Sequence, residues 1–381
     1  MSTNQPRISL GSLLALTLIV VLGSSTALAQ SPSTFTVYAK DINGPRGLEF
    51  GPDGSLYVAE AGIAGNNNTV GLCPQPGPPI GPYKSGRTAR VLKVLQNGSV
   101  VPVAVGFPSG QAALGDIHGV ADIKFLQGKL YALVSAGGCS HGEAELPAMI
   151  ARIDLETGNW SMVADLSAFL QSHPARYVGG NSDFEADGTF YSMIAENGVL
   201  YAVEPNHGQI LSVTPRGAIE QLMDVSSGQG HIVPTSIASY KGNLYLGNLN
   251  RFPIVPGSAK VMVLSKVNGK FGVVPGFGSE DTALRPVDSR AGFTTVVGVT
   301  IGPDGLLYVL ELSTAPGFPS LGVGKVVRLL KSGEIEEVIT GLTLPTAMTF
   351  GPDGALYISN FGAFNVPKSG TILRFTIPLA Y

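Results

Sequence analysis

Short apolar runs, each broken by a turn signal, recur along the chain. Three copies share one phrase: PRGLEFGPDGSLYV at 45–58, VGVTIGPDGLLYV at 297–309 and PTAMTFGPDGALYI at 345–358. A short apolar strand enters Gly-Pro-Asp-Gly, where Pro and Gly set the dihedrals of a tight turn. Leu-Tyr-Val returns as a β-rich strand. Three weaker copies keep the frame, Ile117-His118-Gly119-Val120 leading to Leu130-Tyr131, Tyr191-Ser192-Met193-Ile194 to Leu200-Tyr201, and Pro234-Thr235-Ser236-Ile237 to Leu244-Tyr245. The pattern predicts six hairpins, whose strands are called a and b.

A third strand, c, follows each hairpin at 90–95, 149–153, 209–213, 260–264, 325–329 and 371–375. Five of these meet a Gly turn: Asn97-Gly98, Thr157-Gly158, Arg216-Gly217, Asn268-Gly269 and Ser332-Gly333. Fourth strands, d, leave those turns at 100–105, 161–164, 218–222, 271–274 and 335–340. Four antiparallel strands per unit make a propeller blade. The expected fold is all-β, a six-bladed β-propeller over residues 30–381. The sixth unit lacks a fourth strand, and residues 35–39 form an orphan strand before the first unit. Ring closure follows, with the N-terminal strand completing the last blade and leaving no open edge. The competing arrangements are an open β array and two smaller β domains.

In such a meander the a–b and c–d turns share one face, and the b–c and d–a connections share the other. The long segments are 61–89, 107–116, 136–147, 166–188, 250–258, 275–295, 313–322 and 361–369, all read as b–c or d–a connections. Long loops on a rigid scaffold are the usual carriers of binding and catalysis. All five histidines fall on that face: His118, His141, His173, His207 and His231. Residues at the start of the innermost strand should ring the channel mouth: Arg46, His118, Tyr191, Thr235, Val297 and Thr346. Polar candidates near the same mouth are Glu60, Asp116, Asp183, Glu185, Asp187, Glu311, Asn181, Asn248 and Asn360. Oxygen-rich groups around a channel can hold Ca²⁺. His118 with Asp116 is a candidate acid/base pair. Polar side chains are also expected at any wet channel. Cys139-Ser140-His141 is too short a fragment to imply zinc.

Composition narrows the picture. Gly and Pro are abundant, at 50 and 27 residues, without a collagen period, as many turns require. A net charge of −3, with 13% charged residues, leaves no basic stripe for nucleic acid. Arg7, an apolar run over 13–22 and Ala27-Leu28-Ala29 read as a cleaved signal peptide, residues 1–29. A run that short does not span a bilayer. The mature chain is therefore expected to be secreted or periplasmic, with no membrane span, and a monomer. Cys73 and Cys139 lie in b–c loops of neighbouring blades, a candidate disulfide in an oxidising compartment.

The phrase GPRGLEFGPDGSLYVAEAG at 44–62, the Cys-bearing Gly/Pro-rich insert after it, and GLTLPTAMTFGPDGALYISNFG at 341–362 resemble the ScyD/ScyE family. These are exported propeller proteins named after members of a cyanobacterial scytonemin pigment cluster. The resemblance covers residues 35–375 and implies a six-bladed propeller outside the cytoplasm. It supplies no catalytic residues. The chain departs from the family pattern at Cys73, where members often carry two cysteines, and over 181–193, where the third blade starts irregularly. Three functions follow as expectations. One is a binding or accessory protein, taking a small molecule, glycan or protein partner on the long-loop face. Another is a metal-dependent hydrolase or lyase of the lactonase-like propeller type. The last, by analogy with the family name alone, is a pigment-pathway enzyme.

Overall fold

The computed structural model describes residues 1–2, 34–176, 183–267, 270–271, 288–364 and 366–378. The signal-peptide expectation and Asn181 fall outside them. The fold is a six-bladed propeller with four antiparallel strands in each blade. Blade 1 is Pro45–Phe50, Leu56–Glu60, Lys84–Val94 and Val100–Gln111, with the short strand Ile117–His118 added at its edge. Blade 2 is Val120–Leu126, Lys129–Val134, Met149–Ile153 and Trp160–Asp165. Blade 3 is Ser192–Glu196, Val199–Glu204, Gln209–Val213 and Ile219–Asp224. Blade 5 is Val296–Ile301, Leu307–Glu311, Gly324–Leu329 and Ile335–Leu342.

Closure happens as expected. In blade 6, Ala347–Phe350, Leu356–Asn360 and Gly370–Thr376 are completed by Thr34–Ile42 from the other end of the chain. Thr34 pairs with Thr376 and Ile42 with Gly370.

The repeat phrase builds more than a hairpin. At each Gly-Pro-Asp-Gly turn the second Gly takes φ 73°, which a side chain would resist. The turn Asp accepts a backbone N–H two residues on, at Ser55 (3.1 Å), Leu306 (3.1 Å) and Ala355 (3.2 Å). Its other oxygen takes the strand-b tyrosine hydroxyl, 2.8 Å from Tyr308 and 3.0 Å from Tyr357. The same tyrosines pack edge-on against the phenylalanine ending strand a of the next blade. The pairs are Tyr57–Phe125, Tyr308–Phe350 and, across the seam, Tyr357–Phe50, with centroids 5.0–5.3 Å apart. One sequence phrase thus sets both the turn and the blade-to-blade register. Strand b lies between two blades, so Leu56–Glu60 and Leu307–Glu311 are buried throughout. On the outer strand Trp160–Asp165 only Ala164 is buried.

Blade 4 departs from expectation. Its strands are Pro234–Tyr240, Asn243–Asn248, Ala259–Leu264 and Asp288–Phe293. Of the expected fourth strand at 271–274 only Phe271 is described, and the strand paired with Ala259–Leu264 is Asp288–Phe293. Lys266–Val267 and Lys270–Phe271 form a separate small hairpin at the Asn268-Gly269 signal. Met262 pairs instead with Ser289. Asp288–Phe293, expected as part of a long d–a connection at 275–295, is instead the fourth strand, and the rest of that expected segment up to residue 287 lies outside the described residues. Not every c–d link is tight. In blade 1, the first half of the expected loop at 107–116 is strand, because the c–d hairpin extends to Gln111.

A second repeat appears at the end of strand b. Glu60 accepts the Asn43 N–H (2.8 Å) and Glu204 the Thr189 N–H (2.7 Å). Asn360 accepts the Thr343 N–H (2.8 Å), and Glu311 accepts that of Thr294. Asn248 works in the reverse sense, donating to the Ile232 carbonyl at 2.9 Å. Each side chain anchors the d–a connection entering its own blade. Glu60 is fully buried and also pairs with Arg90. Glu60→Ala strands that guanidinium and the Asn43 N–H. Because Arg90 is partly solvated, the expected loss is roughly 2 kcal/mol in denaturant unfolding.

Candidate functional site

Two cavities lie along the propeller axis. One, of about 270 Å³, is lined by the innermost strands of all six blades. The other, of about 180 Å³, lies on the long-loop side, walled by b–c and d–a connections. Arg46 and Tyr191 line both and form the septum between them. The Tyr191 hydroxyl donates across the ring to the Thr346 carbonyl at 3.1 Å. Arg46 Nη2 donates to the Ile117 carbonyl and, at 3.2 Å, to Asp116 Oδ1. The septum is built from first residues of strand a because those strands converge on the axis.

The long-loop cavity is apolar along its walls, with Ile80, Ala112, Leu114, Val233, Leu249, Phe252 and Phe364. Its polar groups cluster in two places. In the first, His118 Nε2 sits 3.6 Å from Asp116 Oδ2. The other Asp116 oxygen also accepts the N–H groups of Ile117 (3.0 Å) and Phe364 (3.1 Å). Burial pushes the Asp116 carboxyl up, but Arg46, His118 and those N–H groups hold it below its ordinary value. Burial lowers the His118 imidazole, and the Asp116 and Glu185 charges only partly offset this. His118 is therefore neutral at neutral pH.

Behind it, Tyr83 packs between two imidazoles, with ring centroids 5.8 Å from His118 and 4.8 Å from His141. Its hydroxyl donates to Glu185 Oε2 at 3.3 Å. Burial first, and then the Glu185 charge, raise the Tyr83 hydroxyl well above its ordinary value, so it stays a donor. His141 bonds the same carboxylate and the Gly137 carbonyl (2.8 Å). Burial opposes the charge on both partners. Their mutual bond outweighs it, raising His141 and lowering Glu185 into a buried ion pair.

The second cluster is His231 with Asp183, 3.4 Å apart. The hydrogen bond from His231 holds the Asp183 carboxyl below its ordinary value. Its Oδ1 is buried and has no hydrogen-bonding partner among the described residues.

The sequence candidates divide accordingly. Arg46, Asp116, His118, Asp183, Glu185, Tyr191 and Thr235 line the long-loop cavity. Val297 and Thr346 line the axial cavity below. Thr235 and Thr346 also link neighbouring innermost strands, each donating at 2.6 Å, to the Val296 and Pro45 carbonyls. Glu60, Asn248, Glu311 and Asn360 line neither cavity. They sit at the end of strand b, one strand out from the axis, and anchor incoming backbone instead. Asp187 is held by the Ser140 N–H (2.8 Å) and hydroxyl (2.7 Å). Cys139 carries a disulfide to Cys73, with Cα atoms 6.3 Å apart. His207 is buried against the Glu185 carbonyl, 2.8 Å away, and His173 stacks on Phe169. Tyr83, Ile80, Leu114 and Phe364 were not candidates. Their one signal was membership of long b–c or d–a segments.

A metal would need converging donors. Among the described residues no three His, Cys, Asp or Glu side chains meet at metal-binding geometry. Asp116 is engaged by Arg46, Glu185 by His141, and Glu60 by Arg90.

The chain matches no protein-family model and no curated protein. Solved structures do resemble it. A gluconolactonase from Xanthomonas campestris is 12% identical, with a TM-score of 0.50, over 91% of this chain and 90% of that one. A putative oxidoreductase (glucose dehydrogenase) from Thermus thermophilus is 19% identical, with a TM-score of 0.52, over 90% of this chain and 100% of that one. The PQQ-bound aldose sugar dehydrogenase of Streptomyces coelicolor is 14% identical, with a TM-score of 0.53, over 92% and 100%. The class these define is the six-bladed propeller. At such identities the likeness carries the fold and nothing finer.

Proposed function

We propose that the protein is an exported propeller of the ScyD/ScyE type that binds a compact, largely apolar organic molecule in the long-loop cavity. The observation that carries this reading is Asp183 Oδ1, a buried acceptor without a partner among the described residues, on a cavity that also presents the apolar side chains of Ile80, Leu114, Val233, Leu249, Phe252 and Phe364. A buried acceptor left unmatched costs about 1–3 kcal/mol, which a ligand hydroxyl or amine would recover. A volume of about 180 Å³ suits a molecule of one or two rings. A glycan is less suited to such walls than a flat apolar body with a polar end. Residues 1–29 are removed on export in this reading, and the mature protein works as a monomer.

The test uses 4-hydroxyphenylacetone, with a phenol at one end and a ketone at the other. Saturation-transfer NMR should show it bound to the mature protein. Leu114→Trp fills the cavity from a loop and is expected to weaken binding at least tenfold. Val105→Thr, on the outer strand of blade 1, should leave it unchanged. Equal binding by the Leu114 variant would place the ligand elsewhere.

A further inference from the structure

His118 differs from the other histidines. His141, His173, His207 and His231 each have a ring nitrogen in a hydrogen bond. Among the described residues neither ring nitrogen of His118 has one. Nε2 approaches Asp116 Oδ2 only to 3.6 Å, outside hydrogen-bond range. His118 lines the cavity beside Arg46, the cation of the floor. A neutral imidazole facing an apolar cavity, backed by a carboxylate and flanked by a fixed positive charge, is an arrangement for moving a proton.

We propose that His118 is a general base acting on a carbon acid, a ketone or related carbonyl compound, held in this cavity. This rests on the binding reading above. Asp116 is a positioning residue. Its charge lies 3.6 Å from Nε2 and favours the proton there, which in the proposed step leaves the Nδ1 lone pair to take the substrate proton. In the step, the imidazole removes a proton from the carbon next to the carbonyl. The C–H electron pair becomes the new carbon–carbon π bond, and the carbonyl π pair moves onto oxygen. Arg46 stabilises that enolate oxygen. The proton then returns from His118 to the same carbon, giving exchange, or, from the dienolate of a β,γ-unsaturated ketone, to the γ-carbon, shifting the double bond into conjugation. Nothing is oxidised or reduced, and no co-reactant enters.

The groups facing the imidazole are Asp116 and Glu185, which favour its charged form, and Arg46 and His141, which oppose it. Burial adds to the opposition. The active, neutral form therefore persists to lower pH than for an ordinary histidine of 6.5.

The experiment follows loss of the methylene signal of 4-hydroxyphenylacetone in D₂O by proton NMR. Wild-type protein should accelerate exchange over buffer. The rate should rise through a midpoint below 6.5 and stay level above it. His118→Gln should lower the protein-dependent rate about 10²-fold or more while binding the ketone within twofold. His173→Asn, an exposed control, should leave the rate unchanged. If His118→Gln does not fold, the wild-type pH profile decides alone, and a rate without that midpoint overturns the assignment. A His118→Gln protein that exchanges at the wild-type rate overturns it too, as does wild-type protein that binds the ketone without accelerating exchange. Absence of binding would instead overturn the cavity reading beneath it.

Discussion

A chain lacking residues 34–42 is expected to lose its folded monomeric form. That segment supplies the outer strand of blade 6, in register from Thr34–Thr376 to Ile42–Gly370. Without it, Gly370–Thr376 becomes an open edge with a row of unpaired N–H and C=O groups. Ala39 and Ile42, 2% and 0% exposed, would leave holes in the core beside Ile372 and Leu92. Tyr38 packs edge-on against Tyr357 at 4.9 Å, and Phe35 lies 5.3 Å from Phe375. Full burial of a large apolar side chain stabilises by roughly 1.5–3 kcal/mol; Ile42 contributes that, Tyr38 and the largely exposed Phe35 less, and the lost strand pairing adds to it, a large part of the 5–15 kcal/mol that holds a typical domain together. Light scattering should show oligomers or aggregate, and near-ultraviolet circular dichroism should collapse. Removal of residues 1–29 alone should do neither.

The double variant Cys73→Ser, Cys139→Ser is expected to be less stable by about 4 kcal/mol, from the chain entropy of a loop this long. The two cysteines are 66 residues apart in sequence. For a chain of this size that is a fall in Tm of roughly 5 °C. The consequence extends to the cavity. The bond ties the blade 1 insert to the turn Cys139–His141, which places His141 against Glu185. The Thr69 hydroxyl adds a second tie, to the Cys139 carbonyl. The same insert carries Ile80 and Tyr83 into the cavity wall. Affinity for 4-hydroxyphenylacetone should therefore fall with stability. A serine variant with unchanged Tm and unchanged affinity would show that the insert is held by its other contacts.

The parts of this fold that were legible are those written in local turn chemistry. Gly-Pro-Asp-Gly followed by Leu-Tyr specifies a hairpin wherever it stands, and an orphan strand at one end matched a missing strand at the other. Blade 4 was misread for the same reason. Asn268-Gly269 is a strong local hairpin signal, but it serves a two-stranded excursion. The true fourth strand, DSRAGF at Asp288–Phe293, has little β character of its own and depends on pairing with Ala259–Leu264. The site was half legible. Arg46, His118, Tyr191 and Thr235 follow from their place at the start of strand a, which the geometry of a propeller brings to the axis. Glu60, Asn248, Glu311 and Asn360 were misplaced because the end of strand b is close to the mouth in sequence pattern but one strand outward in space. Tyr83, Leu114 and Phe364 sit on loops whose path no periodicity records.

The long-loop cavity is tested most directly by diffraction from crystals of the mature protein soaked in 4-hydroxyphenylacetone. The expected result is density above the Arg46–Tyr191 septum, with the ketone toward Arg46 and His118 and the phenol toward Asp183. Density confined to the axial cavity on the other side of the septum would contradict it.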